Sequence, residues 1–471
     1  MLIDDILTWG LIVTAAIFLV SGLGEILVDI AFVCWRLVRL LQPRRSHSDL
    51  QQENLDAKPE KPAIIMVPTW QESAVIGRTL ETMVARLRYR RYHILVGVYP
   101  NDAATMAVVS AEAARYDNVH MVVLDHDGPT VKADCLNGII AAAHCLEERL
   151  GERFEIYVNN DAEDFVPPYE LKVLNHFIPT YDVVQLPVFP LPAAWYNFTA
   201  GHYMGEFAHQ HLRDMSLREW LTGAIPTAGV GCGFSRRFVD ASAEINGGLV
   251  FAVDSLAEDY EISLKMNHRG MRQLFVDTPV LPPAGEKHPR WADMLPAVRE
   301  DFPSHFGAAV RQKSRWIIGI ALQGWEILGW EGSFLERYMY FRDRKSLAAN
   351  LVVAVGYFLM LATLAIWGWR SWLLQDRHFP IQLEPYSWVA YVIWLNLALM
   401  AVQLCTRFMA VWIIYGFGTA LLSPLRVVWG NIINMAATYR AVALYWQARN
   451  RSARPAWEKT EHQNSGNRHG V

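Results

Sequence analysis

Three short polar groups in this chain combine residue types that can do chemistry together. They are Asp161-Ala162-Glu163-Asp164, Ala257-Glu258-Asp259 and Gln312-Lys313-Ser314-Arg315-Trp316. Carboxylates at the end of a buried strand suit a hard divalent cation. Two adjacent carboxylates can supply a base, and an arginine pairs well with diphosphate oxygens. Together the groups predict group transfer from a donor whose leaving group is a diphosphate.

The first group predicts a metal site. Asp161 and Glu163 flank one residue after an apolar run, so both side chains can turn toward the same pocket. Mg²⁺ or Mn²⁺ takes one or two carboxylates and completes its shell with phosphate oxygens and water. The alternative is a solvated acidic loop, because such triplets are common.

The second group predicts a general base. Asp259 would take the proton of an acceptor hydroxyl, and Glu258 would orient it or raise its pKa. The alternative is a helix start, because residues 260–267 have a helical pattern and acids favour that end of a helix. The two roles are compatible.

The third group places Gln312, Arg315 and Trp316 on one helix face, at positions i, i+3 and i+4. Arg315 can pair with diphosphate oxygens, and Trp316 offers a flat ring for the face of a sugar. The alternative is an amphipathic helix with an arginine at the lipid interface.

Composition narrows the class of protein. The chain has 471 residues, of which 52% are hydrophobic and 19% charged, and its net charge is −4. This balance is apolar for a wholly soluble protein and does not favour nucleic acid as a partner. Five cysteines without a CxxC pair argue against a disulfide framework or a zinc site. A reduced, cytoplasmic catalytic part is therefore expected.

Three segments are long and apolar enough to cross a bilayer: residues 7–35, 346–369 and 388–406. We interpret the first as an uncleaved anchor, and residues 408–425 as re-entrant or interfacial rather than as a fourth crossing. Arginine and lysine cluster at 36–45, 337–345 and 449–454, which predicts that these flanks are cytoplasmic and that 370–386 lies outside. A multi-pass protein of the bacterial inner membrane is expected.

Two acids interrupt the first apolar segment. Glu25 and Asp29 are four residues apart and share a helix face, and charges at this depth are costly unless they are paired or hydrated. We predict that one of them faces Arg407 or Arg426. The alternative is that both acids mark the wet interface.

Between the first two membrane segments, short apolar runs alternate with helical patterns. The runs at 63–67, 94–99, 120–124, 154–158 and 183–188 predict strands, and 74–90, 103–116 and 132–150 predict helices. This alternation predicts an α/β domain with a doubly wound, mostly parallel sheet. The expected organisation is an anchor with its basic flank (1–45), a linker (46–61), the α/β domain (62–335), C-terminal membrane and interfacial helices (336–450) and a disordered tail (451–471).

Seven motifs in this order resemble family 2 glycosyltransferases, whose fold is called GT-A. They are Val67-Pro68-Thr69-Trp70-Gln71-Glu72, Asp102, Lys132-Ala133-Asp134-Cys135-Leu136-Asn137, Asp161-Ala162-Glu163, Gly231-Cys232-Gly233, Glu258-Asp259 and Gln312 to Trp316. The last is similar to the QxxRW signature of the processive synthases of cellulose, chitin and hyaluronan. Two positions depart from the usual pattern, Glu163 for Asp and Ala257 for Thr, and both departures keep the carboxylates.

The resemblance implies a role for each motif residue. Donor-binding residues would be Thr69, Glu72, Asp102 (at the uracil), Lys132, Asn137, Asp161 and Arg315. Acceptor-binding residues would be Cys232, Gln312 and Trp316, the catalytic pair Asp259 and Glu258, and the metal ligands Asp161 and Glu163. His202, His209 and His211 lack metal-ligand spacing to an acid cluster, and no metal is expected there.

The expected function is inverting transfer of a sugar from a UDP-sugar to a growing cell-surface polysaccharide, with Mg²⁺ or Mn²⁺ as cofactor and possible export through a partner in the outer envelope. Two alternatives stay open: a single transfer to a polyprenyl phosphate, and a non-catalytic envelope component. Longer relatives carry a C-terminal domain that resembles cyclic-dinucleotide receptors. The sequence stops at Val471, so control in cis by such a ligand is not expected.

Overall fold

A computed structural model describes residues 2–41, 50–283, 285–287, 289–381 and 387–450 of the chain. Its first element is the long helix α1 (Leu2–Leu41), which carries apolar side chains on most of its surface. This helix is long and apolar enough to cross a membrane.

The segment predicted as a linker is partly built into the α/β domain. Residues 46–49 lie outside the described residues, but Leu50 and Leu55 are fully buried, and α2 (Gln52–Ala57) packs against α6 (Glu170–Phe177). The buried Lys172 pairs with Asp56 and Glu60. The few apolar residues of this polar segment therefore hold it against the α/β domain, which begins near residue 50.

The domain is built on a seven-stranded sheet with the order β3-β2-β1-β4-β7-β5-β8 and a two-stranded sheet of β6 and β9. All neighbours are parallel except β7, which runs antiparallel to both β4 and β5. The strands are β1 (Ala63–Pro68), β2 (Tyr92–Val98), β3 (Val119–Val123), β4 (Ile156–Asn159), β5 (Val183–Gln185), β6 (Val188–Pro190), β7 (Cys232–Ser235), β8 (Gln273–Phe275) and β9 (Val298–Glu300). The predicted doubly wound, mostly parallel sheet is confirmed.

Both faces of the sheet are covered. Ile65 and Val67 of β1 face one apolar core, whereas Ile64 and Met66 face the other, and all four are fully buried. A strand buried on both faces reads as a continuous apolar run, which is why β1 was predictable. The covering helices are α3 (Ile76–Arg86), α4 (Ala103–Arg115), α5 (Lys132–Leu150), α6, α9 (Arg236–Ile245) and α10 (Glu258–Asn267).

The strand predicted at 183–188 is in fact two strands. β5 ends at Gln185 and pairs with β7 and β8, whereas β6 begins at Val188 and pairs with β9. Pro187 lies between them and has no N–H to donate to a ladder. β7, β8 and β9 were not predicted, because strands of three or four residues give little periodicity.

A layer of helices joins the domain to the membrane segments. It consists of α7 (Phe198–His209), a π-helical turn at Gln210–Asp214, α8 (Met215–Thr222), α11 (Phe306–Trp316), a second π-helical turn at Ile317–Gln323, and α12 (Gly324–Leu328). Two long helices follow, α13 (Phe334–Leu373) and α14 (Trp388–Tyr415), and both are long and apolar enough to cross a membrane. α13 starts at Ser333 with a capping box to Glu336.

The apolar stretch predicted at 408–425 is divided between three elements. Its first part continues α14 to Tyr415, where Gly416 with φ +92° ends the helix. The short α15 (Phe417–Ala420) and the start of α16 (Ser423–Asn450) follow. α16 packs on α7 and α11, so within the described residues the structure has three candidate spans and no fourth at this stretch.

The predicted partners of the membrane acids were wrong. Glu25 pairs with Arg213, Arg342 and Lys345 instead of Arg407 or Arg426. Asp29 pairs with Arg213 and accepts a hydrogen bond from Gln403 at 2.7 Å. Because α1 packs along both α13 and α14, Glu25 reaches the bases in the first turns of α13 and Asp29 reaches Gln403 of α14.

Candidate active site

A cavity of about 660 Å³ opens at the carboxyl ends of β1 and β4. Ligands of open α/β sheets bind at this edge. Ten of the predicted site residues line the cavity: Thr69, Glu72, Lys132, Asp161, Glu163, Glu258, Asp259, Gln312, Arg315 and Trp316. Motifs that are up to 247 residues apart in the chain thus converge on one space.

The predicted metal residues lie in a tight turn after β4. The backbone N–H of Asp161 donates to Asp164 Oδ2 at 2.7 Å, which folds the acidic segment back on itself. Lys132, at the start of α5, places Nζ 2.6 Å from Asp161 Oδ1 and 2.9 Å from the carbonyl oxygen of Gly229. An ammonium group therefore already neutralises one carboxylate of the pair.

This turn carries an excess of buried negative charge. Burial and the charges of Glu163 and Asp161 raise the pKa of Glu300 well above its usual value. Burial, Glu300 and Asp161 do the same for the pKa of Asp164. A divalent cation between Asp161 and Glu163 would relieve this repulsion, so the donor set fits Mg²⁺ or Mn²⁺. Among the described residues no cluster of three or more potential metal ligands occurs, and phosphate and water would complete the shell.

The carboxylate pair Glu258-Asp259 forms the first turn of α10. Burial raises the pKa of Asp259, and burial together with the Asp259 charge raises the pKa of Glu258 to about 7. Gly229 has φ +77°, and a Cβ there would lie 2.8 Å from Asp259 Oδ2. The glycine therefore lets the backbone approach the Asp259 carboxylate. The helix-start interpretation also holds, since both acids lie in the first turn.

The helix that carries the third motif is fixed against the carboxylate pair. A Cβ on Gly319, in the π-helical turn after α11, would lie 2.6 Å from the Cβ of Ala257. Gln323 accepts a hydrogen bond from the Leu256 N–H at 3.0 Å and donates to the Asp254 carbonyl at 3.2 Å. The third motif and the Glu258-Asp259 pair are thereby held in fixed positions relative to each other.

Trp316 belongs to an aromatic cluster at the cavity wall. Its ring centroid lies 6.1 Å from Tyr203, 6.1 Å from Phe207 and 6.5 Å from Phe302. Gln312 is buried, and its Oε1 has no hydrogen-bond partner among the described residues. Arg315 lines the cavity rather than lying only at a lipid interface. This wall thus presents an aromatic ring to a ligand, and the amide oxygen of Gln312 is buried within it.

Three predicted site residues do not reach the cavity. Asp102 caps α4 by accepting from the Thr105 N–H at 3.3 Å, and also accepts from the Gln71 N–H. Asn137 binds the backbone of Val250 and Phe251 through both ends of its amide. Cys232 is fully buried in the core. Each of these side chains is occupied in holding the fold.

Two kinds of cavity residue were not predicted from the sequence. Trp70 and Tyr99 line the end of the cavity that holds the residues expected to bind the donor, here called the donor end, with ring centroids 5.4 Å apart and edge to face. Their aromatic type was the available signal, since Trp70 belongs to the first motif and Tyr99 ends a run predicted as a strand. Polar residues of the membrane helices line the other end: Ser346, Asn350, Arg407 and Asn434. No spacing in the sequence connects these four.

The fold and site place the chain in a known class. The family described as "Glycosyltransferase like family 2" matches residues 59–319, and the chain belongs to that family. The resemblance stated from the motifs is therefore confirmed, and the class of enzyme is glycosyltransferase.

Among particular proteins, the chain is similar to "Bacteriophage adsorption protein B" of Escherichia coli (strain K12) and "Bacteriophage N4 adsorption protein B" of E. coli O157:H7. Each is 39% identical over 474 residues, which cover 98% of this chain. The chain spans 63% of the length of these curated relatives.

A solved structure supports the GT-A fold. A mannosyltransferase from Pyrobaculum calidifontis, in complex with GDP-Man and Mn²⁺, superposes with a TM-score of 0.51 at 15% identity. The match covers 89% of this chain and 99% of that chain, so it includes elements beyond the α/β domain.

Proposed function

We propose that the chain is a membrane-embedded, inverting glycosyltransferase that moves a sugar from a UDP-sugar to a growing cell-surface polysaccharide. Its α/β domain would face the cytoplasm of a bacterium, held at the inner membrane by α1, α13 and α14. The observation that carries the proposal is one cavity lined by Asp161, Asp259 and Trp316. Export would require a partner in the outer envelope.

In this proposal Asp259 removes the proton of the acceptor hydroxyl. The hydroxyl oxygen then forms a bond to C1 of the sugar while the bond from C1 to the diphosphate oxygen breaks, which inverts the anomeric centre. The raised pKa of Asp259 suits a proton acceptor better than that of an ordinary, solvated carboxylate. Glu258 beside it would keep the proton affinity of the pair high.

The leaving diphosphate would be bound by three groups of this chain. Asp161 and Glu163 would hold a divalent cation, which neutralises diphosphate charge when bound. Lys132 already contacts Asp161 and would add a positive charge at the same place. Arg315 would pair with the diphosphate from the opposite wall.

The acceptor would lie along the wall formed by Trp316 and Gln312. An indole ring packs well on the apolar face of a sugar, and Gln312 lines the same cavity. The uracil assignment of Asp102 is less favoured, because its carboxylate is occupied by two backbone N–H groups. Trp70 and Tyr99 are better placed for a nucleotide base.

Product analysis with a panel of nucleotide sugars tests this proposal. Membranes containing the full chain are incubated with Mn²⁺ and each of several UDP-sugars and GDP-sugars, and nucleotide release is measured. We expect release from one UDP-sugar, loss of release in Asp259→Asn, and normal release in Glu261→Gln. Glu261 lies on the same helix and pairs with Lys265, so it is a matched control.

Two other functions give different results in the same assay. A single transfer to a polyprenyl phosphate would give one stoichiometric, lipid-bound product instead of a polymer. The names of the E. coli relatives suggest a non-catalytic envelope component as the other alternative. Such a protein would release no nucleotide from any donor, although the wild-type chain is folded. Either result would replace the leading proposal.

A further inference from the structure

The cavity does not end at the catalytic residues but continues between the membrane helices. There it is lined by Ser346 and Asn350 of α13, Arg407 of α14 and Asn434 of α16. α13 and α14 are two of the helices that are long and apolar enough to cross a membrane. A guanidinium group thus lies at the membrane end of a cavity that begins at the sugar-transfer site.

Arg407 has no partner in the described part of the chain: its guanidinium makes neither a hydrogen bond nor an ion pair there. Its strongest attractive interaction is at longer range, with Glu206. Glu206 is already occupied, because it pairs with Lys313, lies 3.3 Å from His202 Nε2 and accepts from Asn434 at 3.5 Å. Arg407 is therefore not needed to satisfy Glu206.

A count of charges around this end of the cavity gives the same result. The acids are Glu25, Asp29, Glu206, Asp214 and Asp343, and the bases are Arg213, Arg218, Lys313, Arg342, Lys345 and Arg407. Each of the five acids pairs with at least one of the first five bases. The six bases thus exceed the five acids by one, and Arg407 is the one of these bases without a pair.

The histidines nearby do not change this balance. Burial lowers the pKa of His202 and of His209 to about 3, so both rings are neutral at physiological pH. An unpaired charge in such surroundings is costly and usually marks a binding site. The missing partner is an anion that enters from the cavity or from the membrane.

We propose that Arg407 binds a phosphate group of a lipid-linked acceptor at the membrane end of the cavity. Neutral sugar hydroxyls do not require a buried cation, whereas a guanidinium matches phosphate oxygens in a two-pronged geometry. A phosphate reaches this depth most readily on a lipid whose tail stays in the bilayer. The inference rests on the proposed function only in taking the ligand as the sugar acceptor. The growing saccharide would be joined to the lipid through this phosphate, and its far hydroxyl would be the acceptor at Asp259, so the single-transfer alternative is not required.

Binding measured without a donor separates this inference from catalysis. The purified full chain in detergent is titrated with a polyprenyl phosphate, with the same polyprenol lacking the phosphate, and with inorganic phosphate. We expect wild type to prefer the phosphorylated lipid by at least about tenfold, which corresponds to about 1.4 kcal/mol. Arg407→Gln should lose that preference, and Arg407→Lys should keep part of it.

A matched control is Arg370→Gln, which removes a positive charge near the other end of α13, where Arg370 pairs with Asp4. This variant should keep the full preference for the phosphorylated lipid. The proposal is overturned if folded Arg407→Gln keeps the wild-type preference, or if Arg370→Gln loses it equally. Inorganic phosphate that binds as tightly as the lipid would overturn the assignment to a lipid.

A wild-type protein that binds the phosphorylated lipid but releases no nucleotide from any donor would refute the proposed function alone. A protein that transfers sugar but shows no phosphate preference would refute this inference alone. The two failures are thus distinguishable.

Discussion

At the donor end of the cavity, charged side chains come from the ends of strands and the starts of helices. At the membrane end they come from positions along several helices and from one π-helical turn. Asp161 and Lys132 are fixed by the ends of β4 and α5. Glu25 is instead satisfied by Arg213, Arg342 and Lys345, which lie at least 188 residues away in the chain.

This difference separates two ways of placing charge. A strand end presents its side chains at a fixed point of the sheet, so short motifs suffice to build the donor end. The membrane end depends on how whole helices pack, and each of its charges needs a partner from another helix. Substitutions at the donor end should therefore change chemistry, and those in the ion pairs of the membrane end should change assembly.

The largest effect should come from Asp259→Asn. Removing a general base costs about 10²–10⁴-fold in turnover, while the side chain keeps its size and donor binding should persist. Turnover is measured by nucleotide release and donor binding by calorimetry. Near-normal turnover in the variant would show that Asp259 is not the base.

Asp161→Asn should act on binding more than on the proton transfer. We expect UDP affinity to fall by roughly tenfold, because one metal ligand is lost and Lys132 loses its partner. The loss should grow as Mn²⁺ is lowered. Equal UDP affinity of variant and wild type across a Mn²⁺ titration would contradict the metal assignment.

Glu258→Gln should shift a pH profile. Burial raises the pKa of both acids of the pair, so activity is expected to fall as pH drops and the base becomes protonated. With one carboxylate removed, the remaining acid should titrate at lower pH, and the acid limb of the kcat/KM profile should move to lower pH. An unmoved acid limb would show that the two acids are not coupled.

Trp316→Ala should shorten the product chains more than it slows the first transfer. Loss of the ring removes a sugar platform, which is worth roughly a kcal/mol, or several-fold in retention of the growing chain. Chain length is measured by size separation of labelled product. Full-length polymer from the variant would exclude this role.

The smallest effect on chemistry should come from the membrane end. Glu25→Gln removes the shared partner of three bases and should destabilise the protein by roughly 1–3 kcal/mol without changing kcat. The amount of folded protein extracted from membranes measures this. If kcat fell while the amount of folded protein stayed unchanged, the ion pairs of the membrane end would affect chemistry as the donor end does.

The donor end was largely predictable from the sequence, because ordered motifs after apolar runs mark strand ends. α5 was predicted at its observed bounds, 132–150. Three predicted residues do not line the cavity, because a side chain of the right type can make its contacts within the fold itself. Asp102 caps a helix, Asn137 binds backbone groups and Cys232 packs in the core. None of these contacts can be predicted from the spacing of residues in the sequence.

The partners of Glu25 and Asp29 could not be predicted for a different reason. Judged by depth in the membrane alone, Arg407 and the arginines of α13 are equally suitable partners for these acids. Only the packing of α1 against α13 and α14 decides which of them is in contact. Arg407 was thus predicted to face Glu25 or Asp29, which instead pair with other bases. Arg407 has no ion pair in the described residues because the other bases already pair with the nearby acids.

The ion pairs of α1 also bear on the order in which the protein is made. A chain is synthesised from its N-terminus, so α1 emerges first with Glu25 and Asp29 and without any of their partners. Arg213 follows with the α/β domain, and Arg342, Lys345 and Gln403 come last. The two acids of α1 therefore have none of their partners until the α/β domain has been synthesised, and the last partner is made with α14. The last of these contacts can form only after α14 has been synthesised, which is later than the synthesis of the proposed catalytic residues.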